Sequence, residues 1–298
     1  YNLNNILTKI IVINNLKVNI IPKLISVNDN IELKKIFDKK IDYVYHAASY
    51  KHVPLLEYNI SSALKNNILG TWNVLNLSYK YNIKKFILIS SDKAVRPTNI
   101  MGITKRFSEI CTLTIKDKFQ NSSTSSSIVR FGNVLGSSGS VIPLFLSQLK
   151  ENKPLTVTHP SVTRYFMTIK DAVGLVLQAS YISSGGEIFV LDMGQPVKID
   201  TIAKKLVQLS GVSNQDLNKN IDKYIKYIGL RPGEKMHEEL FIDSNKINTE
   251  HPNIFIAKED HIEYSEIIDI INILSENENI IGEEITNRLK LLTSSSLI

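Results

Sequence analysis

The sequence predicts an α/β protein, a Rossmann-like doubly wound parallel sheet that lacks its first βαβ unit and carries a smaller C-terminal substrate lobe. Three observations predict it. Short runs rich in Ile, Val, Phe and Tyr alternate with helical patterns through the first half of the chain, as in a parallel sheet wrapped by helices. The runs at 42–48 and 86–90 end in small or polar residues, Ala47-Ala48 and Ser90-Ser91-Asp92-Lys93, where open α/β sheets bind ligands. Beyond Asn133 the rhythm turns irregular, with Gly and Pro punctuation. The expected division is 1–133 for the dinucleotide-binding part, rejoined by 171–192, and 134–298 mainly for the substrate lobe.

Taken in order, residues 10–13 and 20–26 read as strands, and Asp29 caps a helix with Leu33, Ile36 and Phe37 at helical spacing. Residues 42–48 form a buried strand, 63–81 a helix, 86–90 a strand, 101–119 a helix and 127–131 a strand. The Asn- and Ser-rich stretch 121–127 reads as a solvated loop. A helix over 171–181 and a strand over 187–192 follow, the latter rejoining the sheet after the Gly185-Gly186 turn. A helix over 199–209 and a mixed tail end the chain, and no internal repeat occurs.

Composition narrows the class. The 298 residues are 43% hydrophobic, enough for a sizeable core. Lys plus Arg number 35 against 29 Asp plus Glu, a net charge of +6, which suits an anionic ligand and equally a lysine-solvated surface. No basic run is interleaved with aromatics as single-strand binders require, so nucleic acid is not an expected partner. The single cysteine, Cys111, precludes an internal disulfide and reads as a core thiol. No stretch reaches the ~18 apolar residues of a membrane span. No metal site is expected.

Chemistry concentrates where strand 86–90 meets Ser91-Asp92-Lys93. Ser and Asp after a strand also make turn hydrogen bonds, so the triplet needs its context. Pro97-Thr98-Asn99 opens a helix in which Met101 and Lys105, four residues apart, share one face. Both can point at the end of the preceding strand. Arg164 and Arg231 are candidate diphosphate partners, because planar guanidinium groups match phosphate oxygens in pairs; surface ion pairing is the alternative. Gly132, Gly136 and Gly139 lack the spacing of a dinucleotide fingerprint and read as a tight turn between the lobes.

The blocks Ala47-Ala48-Ser49-Tyr50-Lys51-His52-Val53-Pro54, Asn67-Ile68-Leu69-Gly70-Thr71, Ser90-Ser91-Asp92-Lys93-Ala94-Val95, Met101-Gly102-Ile103-Thr104-Lys105-Arg106 and Arg130-Phe131-Gly132-Asn133-Val134 stand in a telling order. With Thr163-Arg164-Tyr165-Phe166-Met167-Thr168 and Arg231-Pro232-Gly233-Glu234-Lys235, the chain resembles the polysaccharide-biosynthesis nucleotide-sugar 4,6-dehydratases. These are extended short-chain dehydrogenases, and the likeness is to the UDP-N-acetylglucosamine branch with Met in place of the catalytic Tyr. The matched blocks cover roughly 1–241.

The resemblance implies a redox-neutral cycle: C4 oxidation by NAD, loss of water across C5 and C6, and reduction at C6. It assigns Asp92 as the acid at the C6 oxygen and Lys93 as the base at C5, the latter needing a lowered pKa. Ser91 would bond the C4 oxygen, Met101 would pack against sugar or nicotinamide, and Lys105 would hold the nicotinamide ribose. A water or Asp92 would deprotonate the C4 hydroxyl. Asn133 and Glu234 would contact the nucleotide, and Lys51 and His52 the sugar. For NAD the expected contacts are Ser26, Val27, Ala47, Ala48, Asn67 and Lys105.

A dinucleotide site also needs a glycine-rich turn before a helix N-terminus, and no such fingerprint occurs in the sequence. By resemblance the chain begins downstream of that unit, and the partners expected besides a UDP-sugar are a homo-oligomer or a separate N-terminal polypeptide. The expected location is cytoplasmic, with the parent enzyme anchored at a membrane's cytoplasmic face. A 4-epimerase and a non-catalytic nucleotide-sugar-binding remnant are the alternatives; the acid and base pair Asp92-Lys93 separates the dehydratase from the epimerase.

Overall fold

The computed structural model describes residues 2–242, 246–259, 263–276 and 283–295. A six-stranded sheet runs in the order Tyr43–His46 (β1), Lys85–Ile89 (β2), Ser125–Arg130 (β3), Ile188–Leu191, Ile254–Ala257 and Lys246–Asn248. The first four strands are parallel, with Tyr43 opposite Lys85, Lys85 opposite Ser125 and Ile128 opposite Ile188. The last two pair antiparallel.

The sheet is covered on both faces because its strands are apolar at successive positions, and successive side chains point to opposite sides. Phe86, Leu88, Ile128, Ile188 and Val190 join one core, with Leu75, Phe107 and Ile271. Their neighbours Ile87, Val129, Phe189 and Leu191 join a second core beneath the helix Ile169–Ile182. A third core, built on Phe145, Leu155, Val157, Ile199 and Ala203, forms the smaller lobe.

Local signals explain the main helices. Asp29 caps Asn30–Phe37 by accepting from the Ile31 and Glu32 amides, and Leu33 and Phe37 are buried. Residues 60–80 are helical throughout, but a π turn over Leu64–Leu69 separates Ile60–Ala63 from Gly70–Lys80. Gly70 is required there, since a Cβ would lie 2.5 Å from Val27 Cγ2. Asn99 caps Ile100–Lys118, its Oδ1 accepting from the Gly102 amide at 2.8 Å. This helix packs against β3 and against the helices Tyr264–Glu276 and Glu283–Ser295.

Three expectations are corrected. Residues 10–13 belong to a helix, Asn2–Ile13, because Leu3, Ile6, Leu7 and Ile10 follow a helical period that a four-residue window hides. Residues 20–26 form no regular element, and Pro22 removes one of the amides a strand would use. The strand expected from Ser127 begins two residues earlier, so Ser125 and Ser126 are the start of β3 instead of loop. The serine hydroxyls make burial tolerable: Ser126 donates to Thr112 O at 3.0 Å, and Ser127 bonds Ser183 at 2.6 Å. The tail beyond residue 209 supplies two sheet strands and two long helices.

Candidate active site

A cleft of about 410 Å³ opens at the carboxyl ends of β1, β2 and β3, between the sheet and the smaller lobe. Its walls include Ala47, Lys51, His52, Ser91, Lys93, Met101, Lys105, Asn133, Arg164, Arg231 and Glu234. These residues come from six separated stretches of sequence that the fold brings together.

The chain leaves β2 through a single 3₁₀ turn, Asp92–Ala94, with Ser91 as its cap. Ser91 Oγ accepts from the Lys93 amide at 3.3 Å and donates to Asp92 Oδ1 at 2.8 Å. The Asp92 amide donates to Phe131 O at 3.1 Å, pinning the turn to the end of β3. Lys93 O lies so close to the helix Ile100–Lys118 that a Cβ at position 102 would sit 2.3 Å from it. Gly102 is thus what lets Met101 and Lys105 approach the turn.

Asp92 is fully buried and stands behind Ser91, off the cleft wall. Its Oδ1 accepts from Lys93 Nζ at 3.0 Å, while its Oδ2 has no hydrogen-bond partner. A buried carboxylate oxygen left unpaired is costly. Lys93 Nζ also reaches Asn133 Oδ1 at 3.4 Å and lies 3.6 Å from Glu238 Oε1. Burial works to lower the pKa of Lys93, but the Asp92 and Glu238 carboxylates outweigh it and the net direction is upward. The lowered pKa expected for a base at this position is therefore corrected: the neighbouring carboxylates raise it. In this cleft Lys105 has the depressed value: burial, only partly offset by Glu109, brings it down to about 8. Its Nζ donates to Ile89 O at 2.9 Å.

Behind this wall lies a buried charge network. Glu109 accepts from Ser90 Oγ at 2.6 Å and from Arg130 Nε at 2.7 Å. Arg130 and Arg106 also pair with Glu259. All four charged side chains are almost wholly buried. On the opposite wall Arg164 is held by Glu234 at 3.0 Å, with Glu238 Oε1 3.8 Å from its Nε. Glu234 also accepts from Thr158 at 3.1 Å. An anion that takes Arg164 must compete with these carboxylates. His52 packs on Gly139, where a Cβ would fall 2.3 Å from the ring and where φ is +68°; both facts demand glycine.

Five sequence-predicted residues are not in the cleft wall: Asp92, buried behind Ser91, and four others. Ser26 and Val27 lie at the foot of Gly70–Lys80, where Val27 packs on Gly70 and its carbonyl accepts from Asn73 at 3.3 Å. Ala48 is exposed and does not line the cleft. Asn67 spends its amide internally, donating to Tyr50 O and Thr104 Oγ1 at 3.0 Å each and accepting from the Tyr50 amide at 2.8 Å. It holds the turn after β1 in place. Sequence reasoning missed Glu238, which sits in the charged run Glu234-Lys235-Met236-His237-Glu238-Glu239 with nothing in the pattern to single it out.

Among the described residues no group of three or more His, Cys, Asp or Glu side chains is placed to hold a metal ion. None of their helices is long and apolar enough to cross a membrane.

Fold and cleft together define a Rossmann-like α/β protein with its polar residues gathered at the carboxyl ends of parallel strands. The polysaccharide biosynthesis protein family matches residues 1–259, and the chain belongs to that family. It is 46% identical over 264 residues to the capsular polysaccharide biosynthesis protein CapD of Staphylococcus aureus, covering 88% of this chain and 43% of that protein. With the probable polysaccharide biosynthesis protein EpsC of Bacillus subtilis it shares 51% identity over 217 residues, 72% of this chain and 35% of that one. The chain thus spans less than half the length of these two relatives. Among solved structures it is similar to Pen from Bacillus thuringiensis, with a TM-score of 0.70 and 34% identity, covering 85% of this chain and 81% of that one. The UDP-glucose 4-epimerase of Thermotoga maritima shares the fold at a TM-score of 0.62 and 21% identity, over 76% and 77% of the two chains.

Proposed function

We propose that this chain is the catalytic part of an NAD-dependent nucleotide-sugar 4,6-dehydratase that acts on a UDP-N-acetylglucosamine-type substrate in polysaccharide biosynthesis. The observation that carries the reading is the pair Asp92 and Lys93, a buried carboxylate with one unpaired oxygen bonded to an amine on the cleft wall. Elimination of water needs an acid for the leaving oxygen and a base for the carbon proton, and these two adjacent groups offer both.

The chain's residues fit the nicotinamide riboside half of NAD. Lys105 spends one N–H on Ile89 O and keeps others for a ribose, and Ala47 lines the same cleft. When bound, that cofactor supplies the hydride acceptor and donor. Ser91 would bond the C4 oxygen; Asp92 would gain the Lys93 proton along their 3.0 Å bond and deliver one to the departing C6 oxygen by way of the Ser91 hydroxyl that donates to it. Lys93 would take the C5 proton once its own proton is lost. Met101, which exchanges no proton, would pack against the sugar. Arg164 and Arg231 would hold the diphosphate, Asn133 and Glu234 the nucleotide, and Lys51 and His52 the sugar rim.

The test is incubation with UDP-N-acetylglucosamine and NAD+, with mass spectrometry of the sugar nucleotide. Loss of one water supports the dehydratase. A product of unchanged mass and inverted C4 would replace it with a 4-epimerase. That second reading is favoured by 40% identity over 200 residues to the UDP-glucose 4-epimerase of Rickettsia canadensis, 67% of this chain and 56% of that protein. Binding of the UDP-sugar without conversion would leave a nucleotide-sugar-binding protein.

A further inference from the structure

We infer that Glu238 is the positioning residue of Lys93, steering its ammonium between two carboxylates and governing its release as a free amine. The inference rests on the dehydratase reading for its purpose and on geometry for its substance. Glu238 is buried, its Oε1 lying 3.6 Å from Lys93 Nζ and 3.8 Å from Arg164 Nε, and its Oε2 has no hydrogen-bond partner. One carboxylate is thus shared between the amine assigned to C5 and the guanidinium assigned to the diphosphate.

The charged groups facing Lys93 are few. Asp92 comes from its own turn, Glu238 from the segment after Arg231, and Arg164 from the strand Thr163–Arg164; the remaining polar neighbour, Asn133, is neutral. Asp92 pulls Nζ toward the sheet, and Glu238 pulls it toward the smaller lobe. Removing Glu238 leaves Lys93 with one anion instead of two, while Arg164 keeps Glu234 as a partner. An opposite charge at this range shifts a pKa by roughly one unit or more. Lys93 therefore becomes an amine at lower pH when Glu238 is neutralised, and it loses the second anchor that fixes its reach.

The experiment measures Lys93 itself, without substrate. The protein is acylated with a small amine reagent across pH, and modification of Lys93 is read by peptide mass spectrometry. Glu238→Gln is expected to lower the midpoint of Lys93 reactivity by about one pH unit, or about tenfold faster labelling below the midpoint. Glu238→Asp, which keeps the charge at a greater distance, is expected to give a smaller fall in the same direction. A mere gain in accessibility would speed labelling at every pH and leave the midpoint in place. An unchanged midpoint in Glu238→Gln overturns the inference; if that variant does not fold, an unchanged midpoint in Glu238→Asp does so. In parallel, the pH dependence of kcat/KM for water loss is expected to shift in the same direction. Wild-type protein that does not convert the sugar sinks the dehydratase reading, and the labelling midpoint still decides the role of Glu238.

Discussion

The helices Asn2–Ile13 and Ile100–Lys118 meet fates opposite to what their compositions suggest. The first is apolar along much of its length, yet it has no buried residue, and Leu3 and Ile13 are 69% and 78% exposed. The second carries Lys105, Arg106 and Glu109, yet every residue over 100–112 is buried. The helix's own composition does not decide the outcome; its neighbours do. Ile100–Lys118 lies between the sheet and two further helices, and its charges meet partners from β3 and from Glu259. Charges so enclosed persist only when each is paired and hydrogen-bonded.

The most damaging way to break this contrast is to remove one member of the enclosed network. Glu109 bonds Ser90, Arg106 and Arg130 at once. In Glu109→Ala two buried guanidinium groups are left to share Glu259, and breaking a buried pair of this kind costs about 3 to 5 kcal/mol. Urea unfolding is expected to show that loss, with activity falling as well because Ser90 leads directly into Ser91. A cost under about 1 kcal/mol would mean that the network is not closed in solution.

A smaller effect is expected from His46, at the end of β1 and packed on Phe86. Its Nε2 lies 3.0 Å from Thr71 Oγ1, whose own proton goes to Asn67 O at 2.6 Å, so His46 is the donor of the pair. Burial first, and Lys105 second, depress its pKa from 6.5 to about 4. The folded chain therefore holds a neutral ring, and the unfolded chain takes the proton as pH falls below 6.5. Stability is lost between those two values, at about 1 kcal/mol per pH unit. Glutamine at position 46 removes this term, so the urea midpoint of His46→Gln should fall less steeply with pH over that window than the wild-type midpoint. Parallel slopes would refute the assignment.

Much of this was legible in the sequence where local signals and burial agree. The caps Asp29 and Asn99, the apolar strands β2 and Ile188–Leu191, and the turn after β2 all declare themselves within a few residues. Ser91, Lys93, Met101 and Lys105 fall on one cleft because a strand end and a helix start are neighbours both in sequence and in space. Legibility fails where the deciding partner is distant. The serines of β3 read as loop because their hydroxyls are satisfied by Thr112 and Ser183. Asn67 reads as a ligand contact, although its partner is the backbone of Tyr50. Lys93 reads as a base of lowered pKa until the Asp92 carboxylate and, with it, Glu238, which no pattern marks, are placed against it.

The mildest substitution sharpens the opening contrast from its exposed side. Leu7 is 37% exposed and belongs to none of the three cores. Truncating a leucine in a core costs about 2 to 5 kcal/mol, because transfer and cavity terms add. At a surface position with neither term the change stays within about 0.5 kcal/mol. Leu7→Ala is expected to unfold in urea with the wild-type midpoint, whereas Phe107→Ala, in the helix Ile100–Lys118, should lose about 3 to 5 kcal/mol. A core-sized loss at Leu7 would show that its side chain is covered in solution, and the two helices would then no longer be opposites.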